Sequence, residues 1–220
     1  MDTEEYVRAR KLMVERLMVA GYLRDPRVAD ALLSVPRELF VPEAYRQLAY
    51  DDRPLPIGEG QTISAPSIVA RMTELLDVRE GHKVLEVGTG SGYQAAVLAM
   101  LVGDAGHVWT IERIRSLAEA AEARLRSLGL LRRVTVIVGD GTLGYPPAAP
   151  FDRIIVTAAA PSIPQPLVEQ LSPGGKLVIP VGSKEEQTLL VVTKEGNELR
   201  VERDLEVIFV PLIGKYGWPE

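Results

Sequence analysis

The segment Glu86-Val87-Gly88-Thr89-Gly90-Ser91-Gly92 is the part of the chain best suited to holding a ligand. Glycines let the main chain turn sharply and let a ligand reach it. A helix starting behind such a turn offers unpaired N–H groups and about half a positive charge to an anionic group. The spacing is G-x-G-x-G, with Tyr93 where a dinucleotide fingerprint would carry its third glycine. With Glu86 two positions ahead of Gly88, the loop suits a smaller ligand that has a cationic amine and a carboxylate. No G-x-x-x-x-G-K-[ST] occurs, so a phosphate-cradling loop of that type is excluded. Glu112 ends a second apolar run, where open α/β sheets place an acid that accepts two ribose hydroxyls. Asp140-Gly141 ends a third, where a carboxylate can meet an adenine amino group and the glycine allows close approach. Each feature also has a structural reading: a tight turn, a solvated glutamate at a helix start, an Asp-Gly turn.

Taken together in order and spacing, the acidic-x-G-x-G-x-G loop and the two strand-end acids resemble the S-adenosylmethionine-dependent methyltransferases of the doubly wound class. The acceptor decides what else such an enzyme needs. Methyltransferases of planar amines resemble one another in an Asn/Asp-Pro-Pro-Tyr/Phe motif after the fourth strand. Here that position reads Thr157-Ala158-Ala159-Ala160-Pro161, with nothing to hold an amine. A catechol-type oxygen would call for a metal or a base, and no His/Asp cluster offers either. A carboxylate acceptor needs neither, because its ordinary pKa of about 4 leaves it ionised at neutral pH. It requires donors, exclusion of water and orientation. The stretch Gly58 to Pro66 supplies hydroxyls and N–H groups ahead of a helix. Ser64 within it could instead be a helix N-cap, worth about 1 kcal/mol.

On these residues the chain resembles the protein-L-isoaspartate O-methyltransferases, over nearly its whole length. The resemblance is carried by Val35-Pro36-Arg37 with Phe40-Val41-Pro42, by Gly60-Gln61-Thr62-Ile63-Ser64-Ala65-Pro66, and by Val84 to Tyr93. Gly139-Asp140-Gly141, Phe151-Asp152, Thr157-Ala158-Ala159 and Phe209-Val210-Pro211-Leu212 extend it. It implies methylation of the free carboxyl of isoaspartyl residues in damaged proteins, which starts repair through a succinimide. It implies Ser64 as the catalytic residue. It implies that Gln61, Thr62, Ile63, Ser64, Glu86, Gly88, Thr89, Gly90, Glu112, Asp140 and Gly141 hold S-adenosylmethionine and its product S-adenosylhomocysteine. Thr62, Ser64, Val210, Pro211 and Leu212 would hold the peptide. The chain departs from many relatives at Ser67, where they carry an aromatic or a histidine.

The elements that must position these residues are legible as periodicities. Tyr6, Val7, Met13, Val14, Leu17 and Met18 mark one face of a helix that starts at Asp2-Thr3-Glu4-Glu5 and ends near Gly21. Helices are expected over 26–33 and 42–48, loop over 51–60, and a helix that Ser64-Ala65-Pro66-Ser67 starts, with Pro66 in its first turn, and that runs to about Leu76. Strands over 84–87, 107–111, 134–138, 153–156 and 176–180 then alternate with helices over 92–101, 114–128 and 164–171. Strands are expected over 188–193, 199–205 and 207–212, with a hairpin at Lys194-Glu195-Gly196-Asn197. The fold class is therefore α/β: a doubly wound, Rossmann-like methyltransferase fold. Its seven-stranded sheet is mostly parallel with an antiparallel end, and it carries an N-terminal helical extension. Residues 1–78 would form that helical segment with the Thr-Ile-Ser loop, and 79–220 the methyltransferase domain, packed as one unit.

Composition narrows the class. The 220 residues carry a formal charge of −5, which argues against a nucleic-acid binder held by a basic surface. No apolar run approaches the ~20 residues of a membrane span, and the acidic start is unlike a secretory signal. There is no cysteine, and His82 and His107 are the two histidines, too few for a zinc site or a His-based triad. The expectation is a cytoplasmic, metal-free monomer that acts on isoaspartyl proteins and peptides and touches neither nucleic acid nor membrane. An RNA or small-molecule methyltransferase, and a non-catalytic binding protein on the same fold, are the competing readings.

Overall fold

The computed structural model describes residues 3–220. Asp2, the first residue of the expected helix start, lies outside them. α1 (Thr3–Val19) buries Met13, Val14 and Leu17, and carries Glu4 and Glu5 in its first turn. α2 (Pro26–Ser34) has proline in its first turn and Asp25 as cap, whose carboxylate accepts the Arg27 N–H. The helix expected over 42–48 is 3-10 in form, Glu43–Leu48, and follows another 3-10 stretch at Arg37–Phe40.

Within the expected loop, β1 (Leu55–Gly58) and β2 (Gln61–Ile63) form a small antiparallel hairpin. Leu55 and Ile57 alternate inward, and the turn places Glu59 and Gly60 at φ 55° and 68°. That is the primed-turn geometry hairpins prefer. α3 (Pro66–Leu76) follows directly. Its N-cap is Ala65, which has no capping side chain, and Asp52 Oδ1 accepts the Ser67 N–H at 2.8 Å. The capping role weighed for Ser64 therefore belongs elsewhere.

The sheet is built from β3 (Lys83–Val87), β4 (His107–Glu112), β5 (Val134–Val138), β6 (Phe151–Val156), β7 (Leu171–Gly182), β8 (Gln187–Glu195) and β9 (Glu198–Val207). The spatial order is β5-β4-β3-β6-β7-β8-β9. β3 to β7 are parallel, whereas β8 is antiparallel to both β7 and β9. Two successive reversals turn β9 back into the direction of β7, so its end emerges at the carboxyl edge of the parallel strands. The expected strand over 207–212 is not a separate one. β9 ends at Val207, and the chain then leaves the sheet, with Pro211 in an isolated bridge to Ala159. Proline cannot donate to a ladder, which suits such a crossing and not a strand interior. The helix expected over 164–171 is α6 (Gln165–Glu169), because Leu171 already pairs with Phe151 in the sheet.

Alternate strand residues cover the two faces, as the pleat requires. Val84, Val108, Ile155 and Val178 pack with α1 to α3, with α4 (Tyr93–Val102) and with Leu117 and Leu125 of α5 (Arg115–Ser127). Leu85, Val87, Ile154, Leu177 and Ile179 form a second cluster with Leu167 of α6 and with Leu212. Burial on both faces explains the continuous apolar runs of these strands.

Candidate active site

The glycine loop leaves β3 beside β6, at the point where the strand order reverses and open α/β sheets bind ligands. Gly88 has φ +97°, a conformation that disfavours any side chain. A Cβ there would also stand 2.8 Å from Thr157 Oγ1, which donates to the Gly88 carbonyl at 2.8 Å. The first-turn N–H groups of α4 have no intrahelical acceptor. Among the described residues, those of Ser91, Gln94 and Ala95 have no hydrogen-bond acceptor.

Glu112 ends β4, is buried, and lines the cavity beside the loop. Its Oε2 accepts the Gly90 N–H at 2.9 Å and its Oε1 the Ile114 N–H at 3.0 Å. Each oxygen keeps a further lone pair, enough for the two hydroxyls of a ribose. Glu86 lies behind the loop, fully buried and away from the cavity wall. Thr110 Oγ1 donates to Glu86 Oε1 at 2.6 Å, so the 2.6 Å bond between Thr89 and Thr110 has Thr89 donating. Oε2 of Glu86 has no hydrogen-bond partner among the described residues. Burial pushes the Glu86 carboxyl up to about 8; the Thr110 hydrogen bond opposes the rise, and the Glu112 charge adds to it.

Opposite the loop, Gln61, Thr62, Ile63 and Ser64 bring β2 and the residue after it to the same cavity. The Ser64 carbonyl accepts Nη2 of Arg37 at 2.9 Å. Its hydroxyl makes no hydrogen bond among the described residues. Val210, Pro211, Leu212 and Ile213 close the third side. They are held there because the Ala159 N–H donates to the Val210 carbonyl and the Leu212 N–H donates to the Ala159 carbonyl, each at 2.8 Å. A second groove shares Thr62, Ser64, Thr157 and Val210 with this cavity and runs between Pro54, Ile68, Ile208 and Phe209.

Of the residues read from the sequence, Gly88, Thr89, Gly90 and Gly141 also stand in the cavity wall. Asp140 does not. Its Oδ1 accepts the N–H and hydroxyl of Thr142, and its Oδ2 accepts the Lys215 N–H at 2.8 Å. Met72, Gln94, Ile111, Arg113 and Ile213 line the cavity without having been singled out. Ile111 and Arg113 flank Glu112 and were open to inference from it; the others come from helix faces and a tail that only the fold brings near.

Backbone donors at a helix start, a buried diol acceptor and a cleft free of side chains at Gly88, Gly90 and Gly141 suit S-adenosylmethionine. Fold and site together define an S-adenosylmethionine-dependent methyltransferase. Residues 8–217 match the family model described as protein-L-isoaspartate(D-aspartate) O-methyltransferase. The chain is 59% identical over 220 residues to the protein-L-isoaspartate O-methyltransferase of Methanopyrus kandleri, covering 100% of this chain and 97% of that one. With the enzyme of Methanothrix thermoacetophila it shares 62% identity over 208 residues, 94% and 97% of the two chains. A solved protein-L-isoaspartate O-methyltransferase superposes with TM-score 0.87 at 32% identity, over 94% of this chain and 67% of that one. A Plasmodium falciparum structure titled as a putative member, in complex with S-adenosyl-L-homocysteine, gives 0.83 at 28% identity, over 93% and 98%. The chain belongs to the protein-L-isoaspartate O-methyltransferase family.

Proposed function

We propose that the groove and the cavity are the two halves of one methyl-transfer site, meeting at Ser64. The chain is an S-adenosylmethionine-dependent protein carboxyl O-methyltransferase acting on isoaspartyl residues of damaged proteins. S-adenosylmethionine, when bound, supplies a methyl group activated by a sulfonium. Gly88, Thr89, Gly90 and Gly141 form its bed, Glu112 takes the ribose hydroxyls, and Gln61, Thr62 and Ile63 flank it. Glu86 supports the loop from behind through Thr110 and Thr89. Asp140 acts through the Thr142 turn and the tail it holds.

The acceptor carboxylate is already ionised, so no group need remove a proton from it. Thr62 and Ser64 hold and orient it, and the Val210-Pro211-Leu212 backbone holds the peptide, reading main chain in preference to side chains. The observation that carries this reading is the Ser64 side chain, which has no partner among the described residues and stands in the wall common to groove and cavity. We further read the chain as a cytoplasmic monomer bound to neither nucleic acid nor membrane; its formal charge of −5 disfavours a polyanionic partner, and among the described residues no helix is long and apolar enough to cross a membrane.

Ser64→Ala tests the assignment. One oriented donor is worth roughly 10- to 1000-fold in kcat, and a loss in that range on an isoaspartyl peptide is expected. A kcat within twofold of the parent would remove Ser64 from the chemistry.

A further inference from the structure

Arg37 is fully buried. Its Nε donates to the Ala49 carbonyl at 2.6 Å and its Nη2 to the Ser64 carbonyl at 2.9 Å. Its guanidinium carbon lies 5.0 Å from the centre of the Tyr93 ring, and Nη1 has no hydrogen-bond partner among the described residues. Among the described residues, no carboxylate hydrogen-bonds to it. The neighbouring Glu38 is engaged by Arg10 and by the Tyr50 hydroxyl. An ion buried this way costs several kcal/mol, and an apolar side chain of similar volume often serves stability as well or better. Stability therefore does not account for this arginine.

What it touches does. The two carbonyls bracket residues 50–63, so one planar group ties the start of that excursion to its end at Ser64. The third contact, Tyr93, is the first residue of the helix behind the glycine loop and lines the cofactor cavity. Arg37 thus couples the peptide side of the site to the cofactor side. A cation on the Ser64 carbonyl also draws electron density through that amide toward the oxygen. The N–H of the same amide belongs to Ala65, which lines the peptide groove and has no acceptor among the described residues. Hydrogen bonds in series strengthen one another by roughly 10–30% per bond, so the Ala65 N–H becomes a better donor to an anion.

We propose that Arg37 is a positioning residue for methyl transfer: by gripping the Ser64 carbonyl it fixes the Ser64–Ala65 amide and polarises it toward the substrate carboxylate. This rests on the reading that Ser64 faces the acceptor. Asp52 completes the bracket from the other side by holding the Ser67 N–H at 2.8 Å.

The test combines Arg37→Met and Arg37→Lys with and without Ser64→Ala. Each variant is assayed for kcat and KM on one isoaspartyl peptide, and for S-adenosylhomocysteine affinity by calorimetry. Arg37→Met should lose kcat by roughly 10- to 100-fold, the scale of a misplaced reacting group, with S-adenosylhomocysteine affinity kept within threefold. Arg37→Lys, which retains a charge and one reach to a carbonyl, should fall between. In the Ser64→Ala background, Arg37→Met should cost measurably less than in the parent, because the hydroxyl it places is gone while the Ala65 N–H remains. The proposal is overturned if both arginine variants keep kcat within twofold, if cofactor-product affinity falls in step with kcat, or if the two losses simply multiply. Should Arg37→Met fail to fold, Arg37→Lys decides by the same readings. Ser64→Ala without effect on kcat would instead identify the serine assignment as the fault.

Discussion

The buried Glu86 carboxyl makes a measurable demand on stability. In an unfolded chain it titrates near 4.5, and in the fold it is pushed up to about 8. Between those values the folded state holds a proton that the unfolded state has released. The folded state therefore loses stability as pH rises through this window, at about 1.36 kcal/mol per pH unit. The full loss from 4.5 to about 8 is about 5 kcal/mol. Between pH 5.5 and 7.5 it is about 3 kcal/mol. Glu86→Gln keeps the shape and removes the titration. Its buried amide has only the Thr110 hydroxyl beside it, so a constant penalty is expected. The readout is the pH dependence, not that offset. The histidines tilt the profile the other way: burial pulls His107 down, and burial pulls His82 down with Arg153 assisting. Both effects are shared by the two proteins and cancel in the difference. Guanidinium unfolding of both proteins without cofactor at pH 5.5, 6.5, 7.5 and 8.5 gives that difference directly. Relative to Glu86→Gln, the parent should weaken by about 3 kcal/mol between pH 5.5 and 7.5. A difference that stays flat to within about 0.5 kcal/mol, well below the slope expected from linkage, would show that Glu86 is ionised in the fold and refute the argument.

Glu112→Ala removes the acceptor of the Gly90 and Ile114 N–H groups and, with it, the acceptor proposed for the ribose hydroxyls. S-adenosylhomocysteine binding should weaken by about 1.5–3 kcal/mol, the range for a hydrogen bond to a charged group. Calorimetry on a folded variant with unchanged affinity would take Glu112 out of the site. Gly214→Ala would place a Cβ 2.1 Å from Asp140 Oδ1 at a backbone φ of +157°. The tail should lift, and exchange of the Lys215 and Tyr216 amides, now bonded to Asp140 and Thr142, should accelerate at least tenfold, equivalent to losing about 1.4 kcal/mol of local protection. Unchanged protection would mean that the contact relaxes at no cost to the tail.

The parallel half of the fold was legible because its signals are local. Apolar runs bounded by glycine mark β3, β4 and β5, and the loop after β3 is contiguous in sequence with the strand and helix that shape it. The β1–β2 hairpin was hidden by Glu59, which sits at a positive φ usually given to glycine or asparagine. Position 64 reads as a cap by residue type, but Asp52 reaches the helix from a distant turn. The engagement of Asp140 with Thr142 is a local turn, while its bond to Lys215 depends on where β9 releases the chain. By residue type Arg37 looks like an ordinary surface charge, paired with Glu38 in an otherwise apolar stretch. Its burial is set by Ala49, Ser64 and Tyr93 closing around it, which no nearby pattern announces.

The return of β9 to the direction of β7 has a consequence for how the enzyme comes into being. The wall formed by Val210 to Ile213 follows every strand in chain order. β6, β7, β8 and β9 pair with their sequence neighbours, so that half of the sheet can assemble as the chain is made. The glycine loop, too, is finished early. The cleft becomes a cleft only when the segment after β9 crosses to Ala159. A chain severed after Val207 would retain β1 to β9 and an open trough in place of the cleft. Catalysis thus waits on a segment made after all of β3 to β9, and turnover reports that the crossing to Ala159 is in place.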